Sequence, residues 1–457
     1  MSNLNDTLKE IVGTEHVLLG DAIGDDYTHD EALSAAPQKP LAVVRPSSTE
    51  EVARVLRAAG EKKVPVTPRG SGTGLSGACI PGEGGIVLSL ERMKRVLEID
   101  LENHMAVVEA GVTLLELNEK LAPHGLLYPV FPGELSASLG GNVNTNAGGM
   151  RAVKYGVTRH HVIGLEAVLP SGEVVKTGGK LVKSSTGYDL TQLIVGSEGT
   201  LAVVTQVIVK LVPRLAFSAT LLAPFKSLEE VTRAVPALVA SGIAPVMVEY
   251  IDQMTMMVIT AQNSVDLGIP DEIRSATQAY LLVLVEGRTE GRVDEDMQVA
   301  GGVLSEHGAL DVFVLPASAA TRLVDAREKS FWAAKRAQAS DVIDVVVPRA
   351  ALAEYMAQVR DIAGRHGTMI PGCGHAGDGN VHMAIFESDP DKRHALMKEL
   401  FEAGRALGGM ISGEHGIGRE KKAYYAALED PLKLVLMKRI KQAFDPNGIL
   451  NPGVLFD

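Results

Sequence analysis

Positions 369 to 386 read MIPGCGHAGDGNVHMAIF, a run that brings His375, Asn380 and His382 close together in the chain. Apolar, β-prone residues flank it (Met369 and Ile370 before; Val381, Met383, Ile385 and Phe386 after), and Asp378-Gly379 is a strong two-residue hairpin signal between two expected strands. A turn there pairs Gly377 with Asn380, Ala376 with Val381 and His375 with His382, which sets the two imidazoles on one face with Cβ atoms roughly 5 Å apart. Side chains alternate with period two, so Asn380 shares that face. Cys373 has the same parity as His375 and reads either as a further ligand or as a small buried residue.

A second polar pair, Glu414 and His415, sits in Ser412-Gly413-Glu414-His415-Gly416-Ile417-Gly418, where glycines free the backbone so that both side chains can face one point. Two histidines and one glutamate on a divalent ion leave coordination positions open for substrate or water, as catalytic metal sites require. Histidines hydrogen-bonded locally within loops account for the same residues, and both readings stand at this point.

The chain that must position these groups has 457 residues, enough for two or three domains. Apolar residues at 46% and charged residues at 22% are those of a soluble globular protein, and the 47 glycines imply many tight turns or close ligand approaches. A formal charge of -12 argues against a nucleic-acid footprint or a broad anionic-membrane surface. No apolar run is long enough to span a bilayer. Met1 to Glu10 lacks a basic segment followed by an apolar one, so a cytoplasmic address is expected. With only Cys79 and Cys373, a disulfide framework is excluded.

Along the chain, Ala42 to Arg45 reads as a strand, Ser48 and Glu51 as a capping box, and Val52, Val55, Leu56 and Ala59 as the stripe of a helix ending at Gly60. The next strand, Val64 to Thr67, runs into Pro68-Arg69-Gly70-Ser71-Gly72-Thr73-Gly74-Leu75-Ser76-Gly77. This loop holds a literal G-x-G-x-x-G, but no helix can begin inside it, because Pro81-Gly82 and a further strand at Ile86 to Leu90 follow at once. A Rossmann dinucleotide site is therefore rejected. The glycines suit either a non-helical loop whose N–H groups approach a pyrophosphate, with Arg69 for charge, or an ordinary glycine-rich turn.

Met105 to Glu109 reads as a strand and Thr113-Leu114-Leu115-Glu116 as a capping box. Pro132 to Gly149 is too rich in Gly, Asn and Ser for a helix or core strand, so a long irregular segment wrapped on a large ligand is expected. Gly164 to Pro170 and Glu173 to Thr177 form a hairpin across Ser171-Gly172. Strands at Leu193 to Val195 and Leu201 to Lys210 are expected to flank Gly196-Ser197-Glu198-Gly199-Thr200. Later strands are expected at Pro245 to Tyr250, Tyr280 to Glu286 and Val342 to Val347. Between the last two, Asp325-Ala326-Arg327-Glu328 reads on its own as a solvated helix face.

The Pro68 to Gly77 loop, Ser138 to Gly149 and Gly196 to Thr200 resemble the FAD-binding (PCMH-type) domain of the vanillyl-alcohol oxidase superfamily. His375 to His382, Ser412 to Gly418 and Asn451-Pro452-Gly453 resemble its FAD-linked D-2-hydroxyacid dehydrogenase branch, with D-lactate dehydrogenase, the glycolate oxidase D subunit and D-2-hydroxyglutarate dehydrogenase. The similarity runs from about Pro40 to the C-terminus. It implies an α+β fold: a two-part FAD-binding domain over 1–214 with its core from about 38, a substrate or cap domain with an antiparallel sheet over 215–410, and a segment over 411–457 returning to the FAD domain.

By the same resemblance Arg69, Gly70, Ser71, Gly72, Thr73 and Gly74 hold the FAD pyrophosphate. Pro132, Gly133, Ser138, Gly141, Asn142, Thr145, Gly148, Gly149, Glu198, Gly199 and Asn451 line the rest of a cofactor bound without a covalent link, since the first loop has no histidine to tether it. His375, His382 and Glu414 correspond to ligands of a divalent metal, zinc with manganese or iron as alternatives. His415 corresponds to the catalytic base, Asn380 to a contact with substrate or flavin, and Arg327, with Lys335, to groups that bind substrate. The implied reaction oxidises a small D-2-hydroxy acid to the 2-oxo acid, with hydride passing to flavin N5. Its electrons go to an electron-transfer flavoprotein, an iron-sulfur subunit or a quinone, so a homodimer or hetero-complex, or a place on the inner face of a membrane, is compatible with it.

D-2-hydroxyglutarate enzymes carry a threonine and a lysine where this chain has Phe331 and Val342, which favours a monocarboxylate such as D-lactate or glycolate over a second-carboxylate substrate. Two other readings are a relative acting on phosphorylated or ether-lipid precursors, which the acidic balance disfavours, and a flavin-binding accessory subunit, which has no need of His375, His382, Glu414 and His415.

Overall fold

In the computed structural model, which describes residues 2–456, the Ser48 hydroxyl accepts the Glu51 N–H at 3.2 Å and starts a helix over Thr49–Glu61. The Glu51 carboxylate returns to the Ser47 N–H rather than to that of Ser48. The flanking strands Ala42–Val44 and Val66–Arg69 do not pair with each other. Both run parallel to Ile86–Ser89, which lies between them, and Val17–Leu19 adds an antiparallel edge. A second, antiparallel sheet follows in the order Val96–Asp100, Met105–Glu109, Val203–Lys210, Val162–Val168, Val174–Gly178, and includes the hairpin expected at Ser171-Gly172.

One apolar core joins both sheets and takes in Leu450 from the far end of the chain. Leu450 arrives there because the Val66 N–H donates to Ile449 O and the Asn451 N–H donates to Val66 O, both at 2.8 Å. The C-terminal segment is thereby stitched to the strand that leads into the glycine loop.

Two elements differ from expectation. Pro132 to Ala137 is irregular, but Leu139–Thr145 is a short helix, with the Ser138 hydroxyl accepting the Gly141 N–H. Close packing overrides the poor propensity of this stretch: a Cβ on Gly140 would stand 2.6 Å from Ala110 Cβ, so only glycine lets the helix lie there. Leu190–Ile194 is a helix, not a strand at 193–195. Asp189 caps it by accepting the Gln192 N–H at 3.0 Å, a local signal stronger than the apolar run.

Val212–Pro213 pairs with Leu126–Leu127, and the other described strands form one antiparallel seven-stranded sheet: Phe313–Val314, Phe217–Phe225, Ala279–Gly287, Met247–Asp252, Gly372–His375, Asn380–Ile385, Asp341–Val346. Its two faces do different work, as period-two alternation demands. Tyr250, Ile343, Val345, Val381, Met383 and Ile385 point into a core closed by the helices Leu228–Ala240, Glu290–Glu306, Leu352–His366 and Pro390–Ala406. Glu249, Val342, Asp344, Cys373, His375, His382 and Ala384 have the opposite parity.

The histidine hairpin has a different register from the one expected. Cys373 pairs with His382 and His375 with Asn380, around a four-residue loop Ala376–Gly379. Gly379 adopts φ +81° with its vacant Cβ position 2.0 Å from Val347 O, so the next strand's backbone fixes where the chain turns. The shift is two residues, which preserves parity, and His375 and His382 remain on one face as diagonal neighbours with ring centroids 4.9 Å apart.

Candidate functional site

His375 is buried, and its tautomer is set from behind: Nδ1 lies 2.7 Å from Glu249 Oε1, on the adjacent strand. Its Nε2 is thereby directed forward, 3.3 Å from Glu414 Oε1, and His382 Nε2 lies 3.2 Å from the same oxygen. Burial opposes charge on His375, yet Glu249 and Glu414 outweigh it and hold the imidazole's pKa well above its ordinary value. Burial likewise opposes ionisation of Glu414, and the facing histidines hold its carboxyl well below the usual range. A positive charge is therefore favoured at the point these groups share, and a divalent ion satisfies that demand as a proton does.

The ligand atoms of His375, His382 and Glu414 lie within 4.8 Å of one another, as do those of Asp344, His382 and His415. The first set is the better donor set, because the oxygens of Asp344 are already committed. Its Oδ2 accepts from Ser412 Oγ (2.7 Å) and from the backbone N–H groups of Gly413 (3.0 Å), Glu414 (3.0 Å) and His415 (2.8 Å), while Oδ1 accepts from Asn380 Nδ2 at 2.9 Å. Burial opposes its ionisation, but the surrounding His415, Lys421 and His382 hold the carboxyl below its ordinary pKa.

His415 stacks on His382 with ring centroids 4.9 Å apart and planes inclined 23°. Burial lowers its pKa to about 4, so the imidazole is neutral near pH 7 and able to take a proton.

Asn380 does not face the cavity; its amide is spent on Asp344 and on Val345 O. Arg327 is buried at the end of the helix Ala317–Glu328, its Nη2 2.7 Å from Glu249 Oε2, and it lines the cavity with His375, His382, Glu414 and His415. Lys335 points to the rim, where it pairs with Glu31 at 2.5 Å and covers the Trp332 ring. Cys373 is buried with its Sγ 3.5 Å from Ser330 Oγ.

Next to this cluster runs a groove of about 150 Å³. Every residue named above for the FAD lines it except Gly133, which faces the larger cavity, and Gly149, whose vacant Cβ position is occupied by Phe131 O at 1.7 Å. Two observations fit a polar ligand there: Asn142 Nδ2 and Asn451 Oδ1 are buried on the groove wall with no partner in the protein, and a Cβ on Gly70 would strike Ser138 Oγ at 2.1 Å, so the wall admits backbone only. Arg69 donates to His29 O at 2.7 Å. Burial raises the pKa of Glu198 to about 7 although it accepts the Ile417 and Gly418 N–H groups at 2.8 and 2.7 Å. Glu198 thus ties the groove to the loop carrying Glu414 and His415. Groove and cavity meet at Thr73, Leu75, Pro132, Glu134, Glu414 and His415.

Sequence reading passed over Glu249 and Asp344. Both were visible as a lone acid inside an apolar strand, Val-Met-Val-Glu-Tyr-Ile and Val-Ile-Asp-Val-Val, and a buried carboxylate is retained only where it is paired or hydrogen-bonded.

Comparison with known proteins agrees with this geometry. Residues 40–178 match the family described as "FAD binding domain", and residues 214–455 match "FAD linked oxidases, C-terminal domain". An uncharacterized FAD-linked oxidoreductase of Mycobacterium tuberculosis (strain ATCC 25618 / H37Rv) is 56% identical over 100% of this chain and 99% of its own length. Glycolate oxidase subunit GlcD of Bacillus subtilis (strain 168) is 40% identical over 94% of this chain and 92% of its own. D-lactate dehydrogenase of Anaerostipes hadrus is 38% identical over 97% and 95%. Among solved structures, 4-ethylphenol oxidase from Gulosibacter chungangensis shares the fold with a TM-score of 0.79 at 20% identity, covering 99% of this chain and 96% of that one. This chain belongs to the FAD-linked oxidases and is an oxidoreductase of the branch that holds proteins named D-lactate dehydrogenase and glycolate oxidase.

Proposed function

We propose that the protein oxidises a D-2-hydroxy monocarboxylic acid, of the D-lactate or glycolate type, to the 2-oxo acid. The observation that carries this is the convergence of His375, His382, Glu414 and His415 where the larger cavity meets the glycine-walled groove. When bound, FAD supplies the acceptor for the hydrogen and electron pair leaving Cα, and a divalent ion such as zinc, held by His375, His382 and Glu414, supplies positive charge beside the carboxylate and hydroxyl.

The protein's own groups do the rest. Arg327 offers its guanidinium to the substrate carboxylate. His415, neutral because it is buried, takes the hydroxyl proton. Glu249 holds His375 in one tautomer, and Asp344 holds the backbone that carries Glu414 and His415. Substrate thus loses two electrons and two hydrogens, one as a proton on His415. No nicotinamide is needed, and the electrons pass on to a non-NAD acceptor such as an electron-transfer flavoprotein, an iron-sulfur subunit or a quinone. Among the described residues no helix is long and apolar enough to cross a membrane. The reading places the enzyme in the cytoplasm, free or against the inner face of a membrane.

The test is flavin absorbance of the purified holoprotein during anaerobic addition of D-lactate, glycolate and D-2-hydroxyglutarate, before and after a chelator. Bleaching by a monocarboxylate, slowed by the chelator, is expected. Bleaching by none of them favours an accessory flavoprotein.

A further inference from the structure

Resting on that reading of the site, we infer that within this monocarboxylate class the preferred substrate carries a bulky apolar side chain, as in a branched or aromatic 2-hydroxy acid, with lactate and glycolate its poorer members. The large cavity, about 290 Å³, is bordered by more apolar than polar surface, although Glu31, Glu134 and Thr255 line it besides the histidine cluster. On the sheet floor one cross-strand row is Asp344, His382 and Cys373; the next row out is Val342, Ala384 and Pro371, since Val342 pairs with Ala384 and the Ala384 N–H donates to Pro371 O. The step between rows is two residues, roughly 7 Å. A substrate held by its carboxylate and hydroxyl at the histidines therefore lays its side chain over an apolar floor.

Much of the wall is apolar too. Met254 and Val258 come from the helix Gln253–Asn263, Phe331 and Ala334 from Ser330–Arg336, and Phe386 follows the His382 strand. Met254, Val258 and Phe386 are 39%, 37% and 39% exposed, so large apolar side chains stand open to this cavity with nothing covering them. Two nearby cations are turned to other partners: Lys335 pairs with Glu31, and Arg336 donates to Gln262 Oε1 at 2.8 Å. Glu328, also on the wall, adds an acid rather than a base. A three-carbon substrate leaves this chamber wet, whereas an apolar side chain displaces that water and gains transfer free energy.

The experiment is kcat/KM of the holoenzyme with a dye acceptor for glycolate, D-lactate, D-2-hydroxybutyrate, D-2-hydroxy-4-methylpentanoate, D-3-phenyllactate and D-2-hydroxyglutarate. Alongside it, calorimetry gives Kd for pyruvate and 4-methyl-2-oxopentanoate. Each buried methylene is expected to raise kcat/KM about fourfold, so that 2-hydroxy-4-methylpentanoate exceeds lactate on the order of fiftyfold, and the branched 2-oxo acid binds correspondingly tighter. Val342→Lys or Phe386→Asp should lower the ratio of branched acid to lactate at least tenfold. Lactate or glycolate turned over as well as every bulkier acid, with pyruvate bound as tightly as its branched analogue, overturns this inference and leaves the 2-hydroxyacid reading intact. No turnover of any 2-hydroxy acid overturns both.

Discussion

The Asp344 carboxylate accepts the backbone N–H of His415 at 2.8 Å, and the same oxygen also takes the N–H groups of Gly413 and Glu414. A strand residue thus folds a loop that lies some seventy positions later, and it does so with one buried charge.

Replacing Asp344 by Ala leaves those donors unsatisfied in a dry interior. The expected loss is about 3 to 5 kcal/mol of stability, and with it the alignment of Glu414 and His415. Thermal unfolding should show the stability loss. Asp344→Asn, which keeps an acceptor but sets an NH2 against N–H groups, should lower kcat more than it lowers Tm.

His415→Asn removes the proposed proton acceptor and is expected to keep the fold, because Asp344 holds this loop through the backbone N–H of residue 415 and not through its side chain. Flavin content should stay at the wild-type level while kcat falls by about 10²- to 10⁴-fold. Anaerobic single-turnover flavin reduction separates that loss from any change in reoxidation.

Glu249→Gln is expected to weaken metal retention about 10- to 100-fold, because the His375 Nδ1 partner loses its charge while its shape is kept. Metal content by mass spectrometry after dialysis against graded chelator reads this directly.

Glu328 lines the cavity, and burial first, then Asp325, raises its pKa from 4.5 to about 8, against Arg151 and Arg327. It is protonated in the folded protein at pH 7, and ionisation above pH 8 puts a negative charge beside an anionic substrate. KM should therefore rise as pH passes 8, and the rise should be absent in Glu328→Gln. Linkage has the same sign: a raised carboxyl pKa contributes stability that is full below about pH 4.5 and is lost as pH climbs toward 8, so Glu328→Gln flattens that decline in a Tm series over pH.

Gly148 brings the groove to the cluster: a Cβ there would lie 2.8 Å from Glu414 Oε2 and 3.2 Å from Val157 Cγ1. Gly148→Ala should lower both flavin occupancy and metal content, and absorbance together with metal analysis checks the pairing.

Much of this protein was legible in its residues. Glycine loops without a following helix argued against a Rossmann site, and the α+β architecture followed from the family resemblance. His375, His382, Glu414 and His415 stood out as polar groups set between glycines, whereas Arg327 was picked out by the family resemblance. Local rules failed where distant chain intervened. Leu139–Thr145 is a helix capped by Ser138 that packs on Ala110, where only a glycine at 140 fits, and the hairpin turned at Ala376–Gly379 because Val347 occupies the place of a Cβ on Gly379.

The sequence by itself determined which side chains were available and, through period-two parity, that the two histidines share a face; that survived a two-residue slip because alternation is unchanged by even shifts. Only the tertiary structure decided what those side chains do. It turned Asn380 from the cavity to Asp344, sent Lys335 to the rim against Glu31, and drew Glu249 and Asp344 behind the cluster. The reason is that hydrogen-bond partners for a buried charge are supplied by strands and loops far apart in the chain, and their meeting is fixed by packing rather than by spacing.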